Sequence, residues 1–318
     1  MRPLLSVVIP AYNEQEVIGE SYRRLDKVCQ ELGKPYELIF VNDGSRDDTL
    51  KLLTGIARKD PRVKVVDFSR NFGHQAAVLA GLEQAGGQAT VIIDCDLQDP
   101  PELIPEMLKL WEEGYEVVYG QRSERKGESK FKTFTAFAFY RILNWMTSVN
   151  IPKDTGDFRL IDEKVVRAML SLKEKNPFLR GMVSWLGFRQ TPIVFERAER
   201  FAGETKYPLK KMFKLAGDGI FSFSLMPLRI AYVLGCISLL GALVDLVVLI
   251  VRACQGLPLF SQVLYLVLFA AFGLVFLCLG ILGQYIGRIY DEAKGRPVYL
   301  VRECIQYPEE AKEDEHEG

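Results

Sequence analysis

A mostly parallel α/β sheet, followed by a pair of membrane-crossing helices, is the fold class this sequence predicts, and three observations predict it. Apolar runs of strand length alternate with helical segments from residue 4 to residue 93, the order that builds parallel sheets covered on both faces. Each run ends in polar or acidic residues: Tyr12-Asn13-Glu14, Asn42-Asp43, Ser69-Arg70-Asn71, and Asp94 with Asp96. Two long apolar segments, 228–251 and 263–286, come later. Each is able to cross a hydrocarbon core of ~30 Å as a helix.

Residues 4–9 form the first strand run, closed by Pro10, and 14–32 follow as a helix with Val17, Ile18, Leu25, Val28 and Leu32 apolar. A second strand over 36–41 ends in Asn42-Asp43-Gly44-Ser45, a turn and helix cap before a helix over 47–58. Strand 63–68, helix 75–84 and strand 88–93 complete the alternation. Val91, Ile92 and Ile93 read as a strand buried on both faces, and Pro100-Pro101 forbids its continuation. Right-handed crossovers bring the strand ends to one edge, where open α/β sheets bind ligands.

Asp94 and Asp96 therefore stand two residues apart at a strand's carboxyl end. Two carboxylates so placed can meet one hard cation, Mg²⁺ or Mn²⁺, which keeps waters and completes its shell with substrate phosphates. Turn formation and capping of the next helix require the same residue types. No glycine-rich phosphate loop is present to cradle a nucleotide with backbone N–H groups, so a phosphate bound at this edge needs a cation.

With 318 residues, a net charge of −1 and 25% charged residues, nothing global marks a nucleic-acid binder. The six cysteines show no paired zinc spacing and read as small apolar fillers in a reducing compartment. His74 and His316 lie far apart, so no histidine-based metal or nucleophile site is expected, and the absence of G-x-S-x-G removes the case for a covalent serine. Lys206, Lys210, Lys211, Lys214 and Arg229 precede the first span, Arg288, Lys294, Arg296 and Arg302 follow the second, and the connection has only Arg252. Both chain ends are then cytoplasmic. Met1-Arg2-Pro3 leads directly into a strand run, so no secretory leader is expected.

Three stretches, Pro10-Ala11-Tyr12-Asn13-Glu14, Asn42-Asp43-Gly44-Ser45 and Asp94-Cys95-Asp96-Leu97-Gln98, resemble the signatures of the family 2, GT-A fold glycosyltransferases. Asn71-Phe72-Gly73, Thr155-Gly156-Asp157-Phe158-Arg159, the 203–207 stretch GETKY and the post-membrane 283–290 stretch GQYIGRIY narrow the resemblance. They match the polyisoprenyl-phosphate glycosyltransferases, which include dolichol-phosphate mannose synthase and the bacterial GtrB-type enzymes that load glucose onto undecaprenyl phosphate. The resemblance implies that Pro10, Tyr12, Glu14 and Asp43 hold the base and ribose of a nucleotide sugar, and that Asp94 lies near nucleotide and sugar. It also implies that Asp96, with Gln98, binds the metal, Mg²⁺ or Mn²⁺, and that Asp157, beside the reacting carbon, is the catalytic residue proposed as base, with Asp94 the second catalytic candidate. Cys95 stands where the family usually has Ala or Gly. A lipid phosphate is already anionic near neutral pH, so Asp157 can serve as base or as positioner. The non-catalytic reading makes it a turn aspartate capping a helix over 163–170.

A further strand, residues 115–120, precedes a charged loop over 121–130. Arg122 and Lys132, with Arg200 and Lys206 in the 200–206 stretch, are candidates for the acceptor phosphate, the latter two by resemblance; a solvated or lipid-attracted basic face is the alternative. Residues 131–149, basic at their start and aromatic on one face, fit a helix in the membrane interface or an ordinary core helix. Asp245 within the first span should face another helix or be protonated.

The sequence therefore predicts a cytoplasmic GT-A head over 1–205, a juxtamembrane amphipathic segment over 206–227, spans over 228–252 and 262–287, and a cytoplasmic segment with an acidic tail over 288–318. The expected function is transfer of a hexose from a nucleotide sugar, UDP-glucose first, to polyprenyl phosphate at a bacterial plasma membrane. The partners are the donor and the lipid, with no nucleic acid, in a homo-oligomer that the resemblance makes a tetramer. GDP-mannose, UDP-N-acetylglucosamine and a modified arabinose are alternative donors. An inactive membrane scaffold or flippase component is the alternative of another class. A processive synthase is disfavoured by the two spans and the lack of Q-x-x-R-W.

Overall fold

The computed structural model describes residues 2–123, 152, 155–172, 174–196, 226–255 and 261–308. The segments 124–151, 197–225 and 309–318, with Lys132, Arg200, Lys206 and the expected interfacial helix, lie outside the described residues.

Strands β1 (Leu5–Ala11), β2 (Tyr36–Asn42), β3 (Val63–Phe68) and β4 (Ala89–Ile92) are the four parallel runs. β1 and β4 are buried along their whole length, which is why they read as continuous apolar runs instead of alternating ones. β1 extends through Pro10, which pairs with Val41. Helices α1 (Ile18–Glu31), α2 (Thr49–Lys59) and α3 (His74–Gln84) connect them, with α4 (Ile104–Glu112) after β4. α3 lies close on the sheet because Gly81 faces Val8: a Cβ there would stand 2.2 Å from the Val8 Cγ1.

After β5 (Val117–Arg122), the chain forms β6 (Thr155–Asp162), α5 (Glu163–Ser171), α6 (Leu179–Leu186) and β7 (Gln190–Phe195). β6 runs antiparallel between β4 and β5, and β7 pairs parallel with β5. Two long helices follow, α7 (Met226–Cys254) and α8 (Ser261–Ala293), packed against each other, with the Cys278 Sγ 3.5 Å from the Ala231 carbonyl. Within the described residues one segment, Ala270–Ala293, is long and apolar enough to cross a membrane, and none of it is buried. Asp245 falls within α7.

The chain then returns to the head. Strand β8 (Val301–Ile305) pairs antiparallel with β3, completing an eight-stranded sheet in the order β7-β5-β6-β4-β1-β2-β3-β8. Reading the sequence assigned no strand to this segment. One apolar layer, with Ile18, Leu25 and Leu53, packs α1 and α2 on the first face of the sheet. The other, with Ala77, Leu79, Val165 and Met182, packs α3, α5 and α6 on the second.

Candidate active site

The parallel strands β1, β2 and β4 deliver their carboxyl ends, and the loops after them, to one edge. Asn13 donates its backbone N–H to the Ser45 Oγ at 2.9 Å and accepts from the Arg46 N–H at 2.8 Å, so the loops after β1 and β2 are stitched together. Asn13 (φ 52) and Leu97 (φ 59) are the non-glycine residues with positive φ among those described, and both sit in these edge loops. For a leucine that conformation is unfavourable by about 1–2 kcal/mol, and such strain concentrates at functional sites.

Pro10 is buried, and Tyr12 and Glu14 are half-buried at this edge. Asp43 is 3% exposed. Its carboxylate accepts from the backbone N–H groups of Phe72 (2.6 Å) and Gly73 (2.9 Å) and from the Asn71 side chain (2.8 Å). Burial raises its pKa against the pull of those donors. Here Asp43 ties the loop after β3 to the edge. Gly44 is required beside it: at φ +63, a Cβ would lie 2.4 Å from the Arg70 carbonyl carbon.

Asp94 and Asp96 both emerge from the end of β4. Asp94 is partly exposed, whereas Asp96 is 8% exposed and accepts from the Gln98 N–H at 3.1 Å. Two carboxylates and the Gln98 amide are hard oxygen donors of the kind Mg²⁺ or Mn²⁺ takes. Among the described residues no group of three or more His, Cys, Asp and Glu side chains could hold a metal by itself. The set fits a cation whose shell is completed from outside the protein, by water and a diphosphate.

The antiparallel register of β6 explains how Asp157 reaches the same edge. Ile92 pairs with Arg159, and Asp94 follows the one by two residues as Asp157 precedes the other by two, so both acids lie at the same end of the strand pair. Asp157 is therefore a strand residue, and the aspartate that caps α5 is Asp162, which accepts from the Lys164 N–H. His74, first residue of α3, lies between the two acids: Nε2 is 3.2 Å from the Asp157 Oδ2 and Nδ1 is 3.7 Å from the Asp94 Oδ1. Arg180 on α6 donates from Nε (2.9 Å) and Nη2 (3.4 Å) to the two Asp157 oxygens. The buried Arg159 holds the Gly156 and Asp157 carbonyls, with its Nη2 3.9 Å from the Asp157 Oδ1.

Burial opposes charge on His74, yet Asp94 and Asp157 outweigh it and raise the imidazole to about 9. Burial would likewise raise Asp157, but Arg180 and His74 hold its carboxyl well below the usual carboxylate range. Burial pushes Arg159 down to about 10, so it remains a cation at neutral pH. Three cations against two carboxylates leave this cluster with a positive excess. A narrow pocket shares Arg159 and Arg180 with it and is lined further by Tyr119, Thr155, Ser184 and Gln190. Arg122, at the end of β5, reaches Gly156 next to Asp157: a Cβ on that glycine would stand 3.0 Å from the Arg122 Nη2.

Sequence reasoning passed over His74 and Arg180. A lone histidine at a helix start carries no spacing signal, and Arg180 reaches Asp157 only because α6 folds back over β6.

A mixed α/β sheet whose parallel strands carry acids at their carboxyl ends is the GT-A type of fold. The chain belongs to glycosyltransferase family 2, whose model, Glycosyl transferase family 2, matches residues 6–170. It is 54% identical over 299 residues, 93% of each chain, to a Bacillus subtilis protein named uncharacterized glycosyltransferase YkcC. It is 39% identical over 303 residues, 94% of this chain and 97% of the other, to the SfII prophage-derived bactoprenol glucosyl transferase of Shigella flexneri. Among solved structures, glucosyl-3-phosphoglycerate synthase from Mycobacterium tuberculosis aligns at a TM-score of 0.44 and 22% identity, over 69% of this chain and 78% of that one.

Proposed function

We propose that this chain transfers a hexose, glucose from UDP-glucose first among the donors, to the phosphate of a polyprenyl lipid with inversion. The observation that carries the reading is the bridge from Asp94 through His74 to Asp157, which sets a donor-side acid and an acceptor-side acid one imidazole apart. The bactoprenol glucosyl transferase relative supports the lipid acceptor.

In this reading Tyr12, Glu14 and Pro10 flank the nucleotide, and Asp43 acts by fixing the 71–73 loop. Asp96 and Gln98 would hold Mg²⁺ or Mn²⁺, which supplies charge neutralisation for the departing diphosphate. A lipid-phosphate oxygen forms the new bond to the anomeric carbon from the side opposite the leaving group. The bond from that carbon to the diphosphate oxygen breaks, and its electron pair leaves with UDP. The attacking phosphate carries no proton that must be removed. Asp157, held ionised by Arg180 and His74, is too weak a base for that task in any case. It is assigned as a positioner. The surrounding cations Arg159, Arg180 and His74 make room for an anionic acceptor beside it. Arg122, Lys132, Arg200 and Lys206 are assigned to the acceptor phosphate.

In the same proposal both long helices, α7 and α8, cross the membrane. Strand β7 precedes the two long helices and β8 follows them, yet both belong to one sheet. A chain that leaves and rejoins one sheet supports an even number of crossings by α7 and α8, and the basic residues flanking them support a cytoplasmic head and C-terminal strand. A homo-oligomer, tetrameric by resemblance, is part of the same proposal.

The test is transfer from radiolabelled UDP-glucose, GDP-mannose and UDP-N-acetylglucosamine into the lipid phase, using membranes containing the protein and undecaprenyl phosphate, with and without EDTA. Labelling by UDP-glucose that EDTA abolishes supports the proposal. Labelling by another donor alone replaces the donor, and no labelling by any donor overturns the reading.

A further inference from the structure

β8 reaches the nucleotide edge through side chains as well as through pairing with β3. Arg302 places its Nη1 3.2 Å from the Asp67 Oδ2 and donates from Nη2 to the Ser69 carbonyl at 3.1 Å. Asp67, 1% exposed, uses its other oxygen to accept from the Asn42 Nδ2 at 2.7 Å. Asn42, also 1% exposed, accepts on Oδ1 from the Ser45 N–H at 3.3 Å. The Ser45 hydroxyl in turn accepts the N–H of Asn13. A second branch starts at Tyr299: its ring stacks on Phe68, centroids 5.0 Å apart, and Phe68 stands edge-on to Phe72 in the loop that Asp43 holds.

We propose that Arg302 is a positioning residue for donor binding: the strand returning from the long helices sets, through Asp67 and Asn42, the geometry of the loop at 42–46 and the backbone of Asn13. The chemistry demands such support. Asn13 sits at φ 52, a region asparagine tolerates, and its bonds to Ser45 and Arg46 tie that conformation to the loop at 42–46. Asn42 and Asp67 are buried polar groups whose partners fix their rotamers, so the position of one guanidinium is passed inward as a choice of hydrogen-bond geometry. Arg302 itself is 58% exposed, so replacing it opens no cavity. Its influence on the edge is directional, and its charge and planar fork are what Asp67 and the Ser69 carbonyl select.

This inference rests on the nucleotide-sugar reading for its kinetic consequence, but not for its structural one. The experiment uses the full chain in detergent, comparing Arg302→Gln and Arg302→Lys with the unaltered protein. Hydrogen exchange, read without substrate, is expected to rise in Arg302→Gln for peptides covering 12–14 and 42–46, and to stay unchanged for 94–99. In transfer assays the donor KM is expected to rise about fivefold in Arg302→Gln, with kcat and acceptor KM held within twofold and partial recovery in Arg302→Lys. Unchanged exchange at 12–14 and 42–46 overturns the proposal, as does a rise in acceptor KM without one in donor KM. Faster exchange there in a protein inactive on every donor would sustain the relay while removing the functional reading it was joined to.

Discussion

Replacing His74 by Gln separates charge from packing at the center of the site. The imidazole is a quarter exposed and lies between the Asp157 and Asp94 carboxylates. Its pKa stands at about 9 against an ordinary 6.5. Because the folded value is the higher one, the stabilisation is complete below pH 6.5 and is lost as pH rises through 9. At pH 7 the linkage amounts to roughly 2.5 kcal/mol. Gln keeps a hydrogen-bond donor within reach but no charge, and Arg180 still pairs with Asp157. The expected loss at pH 7 is therefore about 1–2.5 kcal/mol, a fall in Tm of roughly 2–8 °C. The assay is thermal unfolding of the metal-free full chain, followed by tryptophan fluorescence at pH 7 and pH 10. At pH 10 the native imidazole is itself neutral, so the two proteins should converge to within about 0.5 kcal/mol. An equal deficit at both pH values would show that packing, not charge, is what His74 contributes, and no deficit at pH 7 would refute the ion bridge.

Three further outcomes follow from the same geometry. Gly44→Ala places a Cβ 2.4 Å from the Arg70 carbonyl carbon at φ +63 and should cost about 2 kcal/mol or more, read as a lowered Tm; an unchanged Tm would contradict the tight approach of the two loops. Asp157→Asn should lower kcat by roughly 100-fold while donor affinity changes less than about twofold. Its carboxyl is held below the usual range, so its contribution is present above that range and lost only in acid, and the pH profile of transfer should show no limb from it between about pH 5 and pH 8. EDTA should weaken UDP binding to the native protein by about tenfold or more and have little further effect on Asp96→Asn; equal sensitivity in both would remove Asp96 from the metal.

The head was legible where physical chemistry leaves one choice. Val91-Ile92 and the other apolar runs are strands because both faces are buried, and their polar ends mark the edge where open α/β sheets bind ligands. The DCD stretch and Asn42-Asp43 were visible for that reason. Asp157 came from resemblance alone: its place at the same end as Asp94 depends on an antiparallel strand whose register no local pattern reveals. His74 lies 83 residues from Asp157, and only the packing of α3 on the sheet unites them. β8 was missed because Val301–Ile305 is short and mostly exposed and pairs with a strand more than 200 residues earlier. The hold of the Asp43 carboxylate on the loop at 71–73 was not legible, because it joins groups 28 to 30 residues apart.

The central claim is inverting transfer to a lipid phosphate. Its most direct measurement is the anomeric configuration of the product that the purified full chain makes from UDP-glucose and undecaprenyl phosphate, determined by NMR of the extracted lipid. UDP-glucose is an α-glycoside, so in-line attack by the phosphate oxygen must yield a β-linked glucosyl phosphate diester. An α-linked product, or free glucose and UDP without a lipid product, would contradict the account.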